Sequence, residues 1–315
     1  MEPYEALRGR SAWIDLSARG KIRVLGEDRA RLLHAMCTND VSQLQPQTGL
    51  YAFFLTAQGR ILADAYIYNL GDSLLLDTEP EVGVKLRNHL DKYIIADDVV
   101  LEDESERWTV LGIEGPQFTE AAARLSLPVP SHAYGVAEWQ EGFVSRVAAA
   151  GRDGLRVFIP KEHGGNLTEQ MEKLGIPQAS AADAAVVRLE NGVPRYGEDI
   201  TERYLVQETR QGQAVHANKG CYLGQEIVER VRSRGQVHRL LMPIRIDAAQ
   251  PPAPGAKFSA DGKDAGEITS AAYSPALGQV VALAYVRAEA AQAKSELVMQ
   301  AGGDMQAVVS LPVPL

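Results

Sequence analysis

The residues 218–226, Asn-Lys-Gly-Cys-Tyr-Leu-Gly-Gln-Glu, bring reactive groups together in a spacing that a packed core does not need. Two glycines flank a cysteine and a tyrosine, which suits a loop that another group approaches closely. A helix is expected from near Gly224, with Glu226 in its first turn and Ile227, Val228 and Val231 on its apolar face. Cys221 then lies just ahead of a helix N-terminus and two residues after Lys219. Both features favour a thiolate, so Cys221 is expected to be a functional thiol with Lys219 as its electrostatic partner. The other cysteine, Cys37, falls on an apolar helix face with Ala30, Leu33 and Met36 and reads as packing. Arg230, Arg232, Arg234, His238 and Arg239 follow within a short span. They are either a solvated charge run or a site for a carboxylate or phosphate.

These groups must be positioned by a chain of 315 residues, long enough for two domains or for one large and one small. The hydrophobic fraction of 45% supplies a proper core. No apolar run approaches the ~18 residues that cross a bilayer, and residues 1–10 mix acids and bases, so no membrane span or secretory signal is expected. With only two cysteines, a disulfide scaffold is excluded and a reducing, cytoplasmic setting is expected. Two thiols are also too few to hold an iron–sulfur cluster alone. A net charge of −9 argues against a general nucleic-acid binder. The six histidines are scattered without ligand spacing, so no metal site is expected. There is no Walker loop, no Gly-x-Gly-x-x-Gly and no His-Glu-x-x-His.

Strand and helix patterns alternate through the first 239 residues. Strands are expected at 21–25, 51–55, 61–69, 74–76, 108–113, 143–149 and 155–159, and helices after Gly26, at 82–93 and at 117–125. Asn166 and Glu169 have the spacing of a capping box for a helix that stops at Gly175-Ile176-Pro177. From residue 240 onward helical periodicity gives way to short strands near 241–246, 265–273, 279–285 and 296–300. We therefore expect α+β lobes of the split-βαβ kind over 1–239 and a small β-barrel over 240–315.

The stretch Lys219–Glu226 resembles the Lys-Gly-Cys-Tyr-x-Gly-Gln-Glu signature of the YgfZ-type folate-binding proteins, which are relatives of the glycine-cleavage aminomethyltransferase, the T-protein. Further segments agree in order along nearly the whole chain. They are Thr38-Asn39-Asp40-Val41, Tyr51 with its strand, Ala57-Gln58-Gly59-Arg60 with Asp64, Arg188-Leu189-Glu190-Asn191-Gly192, Gly197-Glu198-Asp199 and Gly266-Glu267-Ile268-Thr269-Ser270. The resemblance implies a three-lobed cloverleaf around a channel for tetrahydrofolate. It implies Glu190, on a strand and loop, as the pterin anchor, with Tyr51, Asp64, Asn39, Gln225 and Arg230 as further folate contacts. A carboxylate suits the pterin, whose amino group and ring N–H form a donor pair.

Two departures bear on function. The transferase carries its catalytic aspartate as the first of an Asp-Asp pair, where this chain has Ala63 followed by Asp64, and its Gly-Tyr-Thr-Gly-Glu element is replaced by Gly151-Arg152-Asp153-Gly154. Alanine cannot assist proton movement. The expectation is therefore a folate-binding accessory protein for the assembly or repair of iron–sulfur enzymes, with iron–sulfur assembly proteins or client enzymes as partners. The alternatives are a folate-dependent aminomethyltransferase and a tRNA-modification factor, with tRNA phosphates meeting Arg230–Arg239.

Overall fold

In a computed structural model, which describes residues 2–235, 237–292, 297–300 and 306–310, the chain folds into two open sheets with helices and a closed barrel. The first sheet is five-stranded, in the order Gly49–Leu55, Ile61–Asn69, Leu74–Thr78, Gly20–Leu25, Val100–Asp103. Its alternating apolar positions close a core against the helices Arg29–Met36 and Gly83–Asp91 through Leu33, Met36, Leu86 and Leu90. The second sheet has six strands, in the order Gln178–Ala179, Ala12–Asp15, Trp108–Glu114, Gly154–Pro160, Gly142–Ser145, Val136–Trp139. One face packs on the helices Phe118–Arg124 and Gly164–Lys173.

The two sheets meet through aromatic side chains. Tyr68 of the first packs edge-on against Phe143 and Phe158 of the second, with centroids 5.8 Å and 5.7 Å away. The helix Ala181–Glu190 packs on the helix Pro3–Gly9 and on the strands Lys263–Ser274 and Gln279–Arg287. It starts at a capping box in which Ser180 accepts from the Asp183 backbone N–H and Asp183 accepts from that of Ser180. The capping box expected at Asn166 does not form: that helix begins at Gly164, with Asn166 already inside it, and makes no side-chain cap bond.

The barrel runs Arg239–Ile246, Gln279–Arg287, Lys263–Ser274, Lys257–Ala260, Leu297–Gln300, Gln306–Ser310 and closes on itself. Closure leaves no free sheet edge among the described strands. The strands Lys257–Ala260 and Gln306–Ser310 were not expected from the sequence, and residue 296 of the expected strand 296–300 lies outside the described residues. Among the described residues no helix is long and apolar enough to cross a membrane.

Candidate functional site

The strand Ile61–Asn69 sets the site by its alternation. Ala63 and Ala65 point into the core of the first lobe, whereas Asp64 and Tyr66 point into a cavity of about 570 Å³ between the two sheets and the helix Ala181–Glu190. That size suits a small organic ligand. Ala184, Ala185 and Arg188 of the helix form one wall, and Arg195, Tyr196 and Glu198 of the following loop form another.

Asp64 is the chemically distinctive group. It is buried, and its Oδ2 accepts from the Tyr51 hydroxyl at 2.6 Å. Burial pushes its carboxyl up to about 6; Glu79 adds to the rise, while the Tyr51 hydrogen bond and Arg19 oppose it. Tyr51 itself is raised well above the ordinary tyrosine range by burial and by Asp64, so it remains a donor. The carboxylate thus titrates close to physiological pH, as an acid–base catalyst requires.

Beneath it lies an ion network. Asp77 is fully buried and accepts from Arg19 Nε and Arg156 Nη1, each at 2.5 Å. Burial alone would raise the Asp77 carboxyl, but the two guanidiniums outweigh it and hold it below the usual range. Arg19 also pairs with Glu79, which Arg195 Nε meets at 3.0 Å from the opposite wall. Arg156 lies 4.4 Å from the centroid of the Tyr66 ring, and its own Nε is buried without a partner. Arg188 closes the far wall, donating from Nη1 to Asp199 at 2.6 Å and to the Val193 carbonyl at 2.8 Å. A second chamber of about 310 Å³ shares Tyr51, Tyr66, Val193 and Pro194 with the first, so the two are continuous.

Of the residues expected at the site, the structure brings together only Tyr51 and Asp64. Glu190 is not on a strand: it is the last residue of the helix Ala181–Glu190. Two positions beyond the cavity-facing Arg188, it turns to the opposite side of the helix. There its Oε1 accepts from Tyr4 at 2.5 Å and Ser274 at 2.6 Å, and its Oε2 from Arg8 at 2.7 Å. The expectation that Glu190 lies on a strand is corrected accordingly. The Asn39 amide donates to the carbonyls of Tyr51 and Gln213, bracing the Tyr51 strand from behind. Gln225 Oε1 accepts from the Tyr222 backbone N–H, and Arg230 lies exposed on the helix Gln225–Arg234; neither lines the chambers.

The signature loop is held in place by contacts of Lys219 and Gly224. The Lys219 ammonium donates to the carbonyls of His34, Cys37 and Asn39 at 2.6–2.7 Å. It thereby closes the C-terminal end of the helix Arg29–Met36, which lacks donors of its own. Gly224 sits at φ +81°, and a Cβ there would lie 2.6 Å from the Thr56 carbonyl, so this glycine lets the loop dock on the hairpin at residues 56–60. Cys221 is exposed, outside the chambers, and Cys37 is buried with its thiol pushed up by burial.

Arg19, Tyr66, Glu79, Arg156 and Arg195 were not singled out from the sequence. For the network's strand residues a signal was present as charges interrupting apolar runs, Arg156 in Leu-Arg-Val-Phe-Ile and Asp77 in Leu-Leu-Leu-Asp-Thr. Such groups are buried only when paired.

Comparison with known proteins covers almost the entire chain. Residues 2–219 match the GCVT N-terminal domain family, and residues 239–315 match the glycine cleavage T-protein C-terminal barrel domain family. An aminomethyltransferase of Nostoc sp. is 27% identical over 99% of this chain and 86% of its own length. One of Rubrobacter xylanophilus is 28% identical over 91% of this chain and 78% of its own. The crystal structure of glycine cleavage system aminomethyltransferase T from Bartonella henselae superposes with a TM-score of 0.90, covering 98% of this chain and 87% of that one. At 21% identity it shows a shared fold.

Proposed function

The chain belongs to the glycine-cleavage T-protein family, and from that premise we propose that it is a tetrahydrofolate-dependent aminomethyltransferase working in the chamber around Asp64. The observation that carries this reading is the buried carboxyl of Asp64, held by Tyr51 and titrating near 6 on the cavity wall. The sequence argument against transfer rested on Ala63, whose side chain packs in the lobe core and never faces the cavity. Position 64 is the one that does, and it carries the acid.

The chamber fits tetrahydrofolate chemically. Tyr51, Tyr66 and Tyr196 and the small side chains of Ala184 and Ala185 make flat apolar walls. Glu79 and Glu198 supply carboxylates that can accept a pterin's paired donors. When bound, the folate supplies the nitrogen that takes up the one-carbon unit. The chain's own groups exclude water, orient that nitrogen and exchange a proton at the Asp64 carboxyl, whose anionic form also favours positive charge developing beside it.

Calorimetry with tetrahydrofolate, combined with an aminomethyl-transfer assay on a lipoylated carrier protein, tests the proposal. Binding and transfer in the native chain, with transfer lost and binding retained in Asp64→Asn, support it. Transfer that survives in Asp64→Asn removes Asp64 from the mechanism.

A second reading, the iron–sulfur accessory role of the YgfZ type, draws support from one observation: Cys221 is exposed on a loop anchored by Lys219 and Gly224. Cys221→Ala in cells lacking the protein separates the two readings. Loss of iron–sulfur enzyme activity with transfer intact would favour the accessory role. A tRNA-modification role has no such support, since Arg232 and Arg239 are paired with Glu229 and Glu208.

A further inference from the structure

The first sheet ends at the strand Val100–Asp103, which pairs with Gly20–Leu25 on one side and with no described strand on the other. None of its residues lines the chambers around Asp64. From this open edge we infer a docking site for a partner protein: an extended segment bearing lysine or arginine, which adds to the five-stranded sheet as a further strand.

Register, exposure and charge carry the argument. Arg23 stands opposite Glu102, and the Glu104 N–H donates to the Lys21 carbonyl at 2.8 Å. Bonded and non-bonded positions alternate along an antiparallel pair, so Glu102 and Glu104 bond inward. The N–H and C=O groups of Leu101 and Asp103 then point to the open side, where they form a template for another strand. The turn leading into this edge carries Ile95, 90% exposed, and Tyr93, 39% exposed, and Val100 on the strand is 53% exposed. Residues 91–106 hold seven acids against one base, Lys92. Asp97, Glu104 and Glu106 pair with Arg31, Arg107 and Lys161. Among the described residues Asp91, Asp98, Glu102 and Asp103 form no ion pair, and Arg87 and Lys21 act on Asp103 only at longer range.

That charge selects the occupant. A second copy of this chain would bring Glu102 and Asp103 of the two edges together, and like charges opposed across strands are destabilising. An anionic membrane surface or a nucleic acid would meet the same repulsion. A segment with basic residues opposite Glu102 and Asp103, and an apolar one opposite Val100, satisfies both the backbone and the side chains of the edge.

The test uses the full chain with two short synthetic peptides, one alternating valine and lysine and the other valine and glutamate. Saturating valine–lysine peptide should slow backbone amide exchange at Leu101 and Asp103 roughly tenfold, and the valine–glutamate peptide should leave it unchanged. By calorimetry the affinity should fall about tenfold in Ile95→Ser with Glu102→Gln, as one apolar contact and one exposed charge pair provide. Both positions are exposed, so a matching thermal melt confirms that the variant is folded. Binding without slowed exchange at Leu101 and Asp103, or an affinity unchanged in the double variant, overturns the site and reduces the peptide to a general counter-ion. Absence of binding overturns it as well, and leaves the acids as guards of a sheet edge. The transferase reading stands or falls separately, by its own assay.

Discussion

Asp64 and Ala63 are neighbours in sequence, and the pleat of one strand gives them opposite fates. Because burial lifts the Asp64 carboxyl from 3.8 to about 6, the folded protein holds a proton there that the unfolded chain has released. The resulting stabilisation is fully present below the unfolded value and is lost as pH rises through about 6. At neutral pH the ionised, buried group therefore costs on the order of 3 kcal/mol. Asp64→Asn should raise stability at pH 7 by about 1–3 kcal/mol in denaturant unfolding while abolishing transfer. In the native chain, transfer should rise with pH to a plateau with an inflection near 6, because the anionic form does the work; a flat profile between pH 5 and 8 would contradict that assignment. Ala63→Asp is expected to fail as a rescue. It would place an unpaired charge in the core, cost roughly 3–5 kcal/mol and leave transfer no better than before.

At the scale of elements, the site depends on how strands and loops are tied to one another. Asp77, on a strand of the first sheet, joins Arg19, just before the strand Gly20–Leu25, to Arg156 of the second sheet. Asp77→Asn would leave the buried Arg156 guanidinium without its anion and Arg19 with Glu79 alone, and should lower stability by roughly 3–5 kcal/mol, read from urea midpoints. Its pH dependence runs opposite to that of Asp64. The Asp77 carboxyl is held below its ordinary range, so its contribution is present above the unfolded value and lost as pH falls. The signature loop behaves as a clamp on the helix Arg29–Met36 and the hairpin at 56–60. Gly224→Ala, at φ +81° and 2.6 Å from the Thr56 carbonyl, should cost roughly 1–3 kcal/mol. It should also speed proteolysis around residue 221, which native-state digestion would detect.

For the whole molecule, one carboxylate bridges the barrel directly to a chamber-lining arginine. Asp199 is fully buried and accepts from Arg188, the Arg195 backbone N–H, and the hydroxyls of Thr269 and Ser270. Arg188 lines the chamber, while Thr269 and Ser270 belong to the barrel. We expect Asp199→Ala to leave the barrel folded but loosely attached, so that calorimetry resolves a barrel transition separate from the main one, with weakened folate binding. A single, unsplit transition would show that the regions 1–239 and 240–315 are held together by other contacts.

What the amino-acid sequence determined by itself was whatever is written in periodicity and local composition. The alternating strand Ile61–Asn69, the helix beginning at Gly224 and the barrel pattern after residue 239 each follow from neighbouring residues alone. So did the resemblance of Lys219–Glu226 and its companion segments to the T-protein relatives. The direction in which a side chain points from an element's end, and the partner it finds there, were decided only by tertiary structure. The residues around Glu190 are compatible with a strand or a helix over so short a span, and only the capping box at Ser180 and packing against the helix Pro3–Gly9 made it a helix that turns Glu190 outward. Lys219 lies two residues from Cys221 in sequence, but its ammonium is drawn to three carbonyls at and just beyond the end of the helix Arg29–Met36. The cavity's charged floor comes from strands far apart in the chain: Arg19, Asp77 and Arg156 are separated by 58 and 79 residues. No local pattern encodes that meeting, because a buried charge reveals its partner only once the sheets have packed.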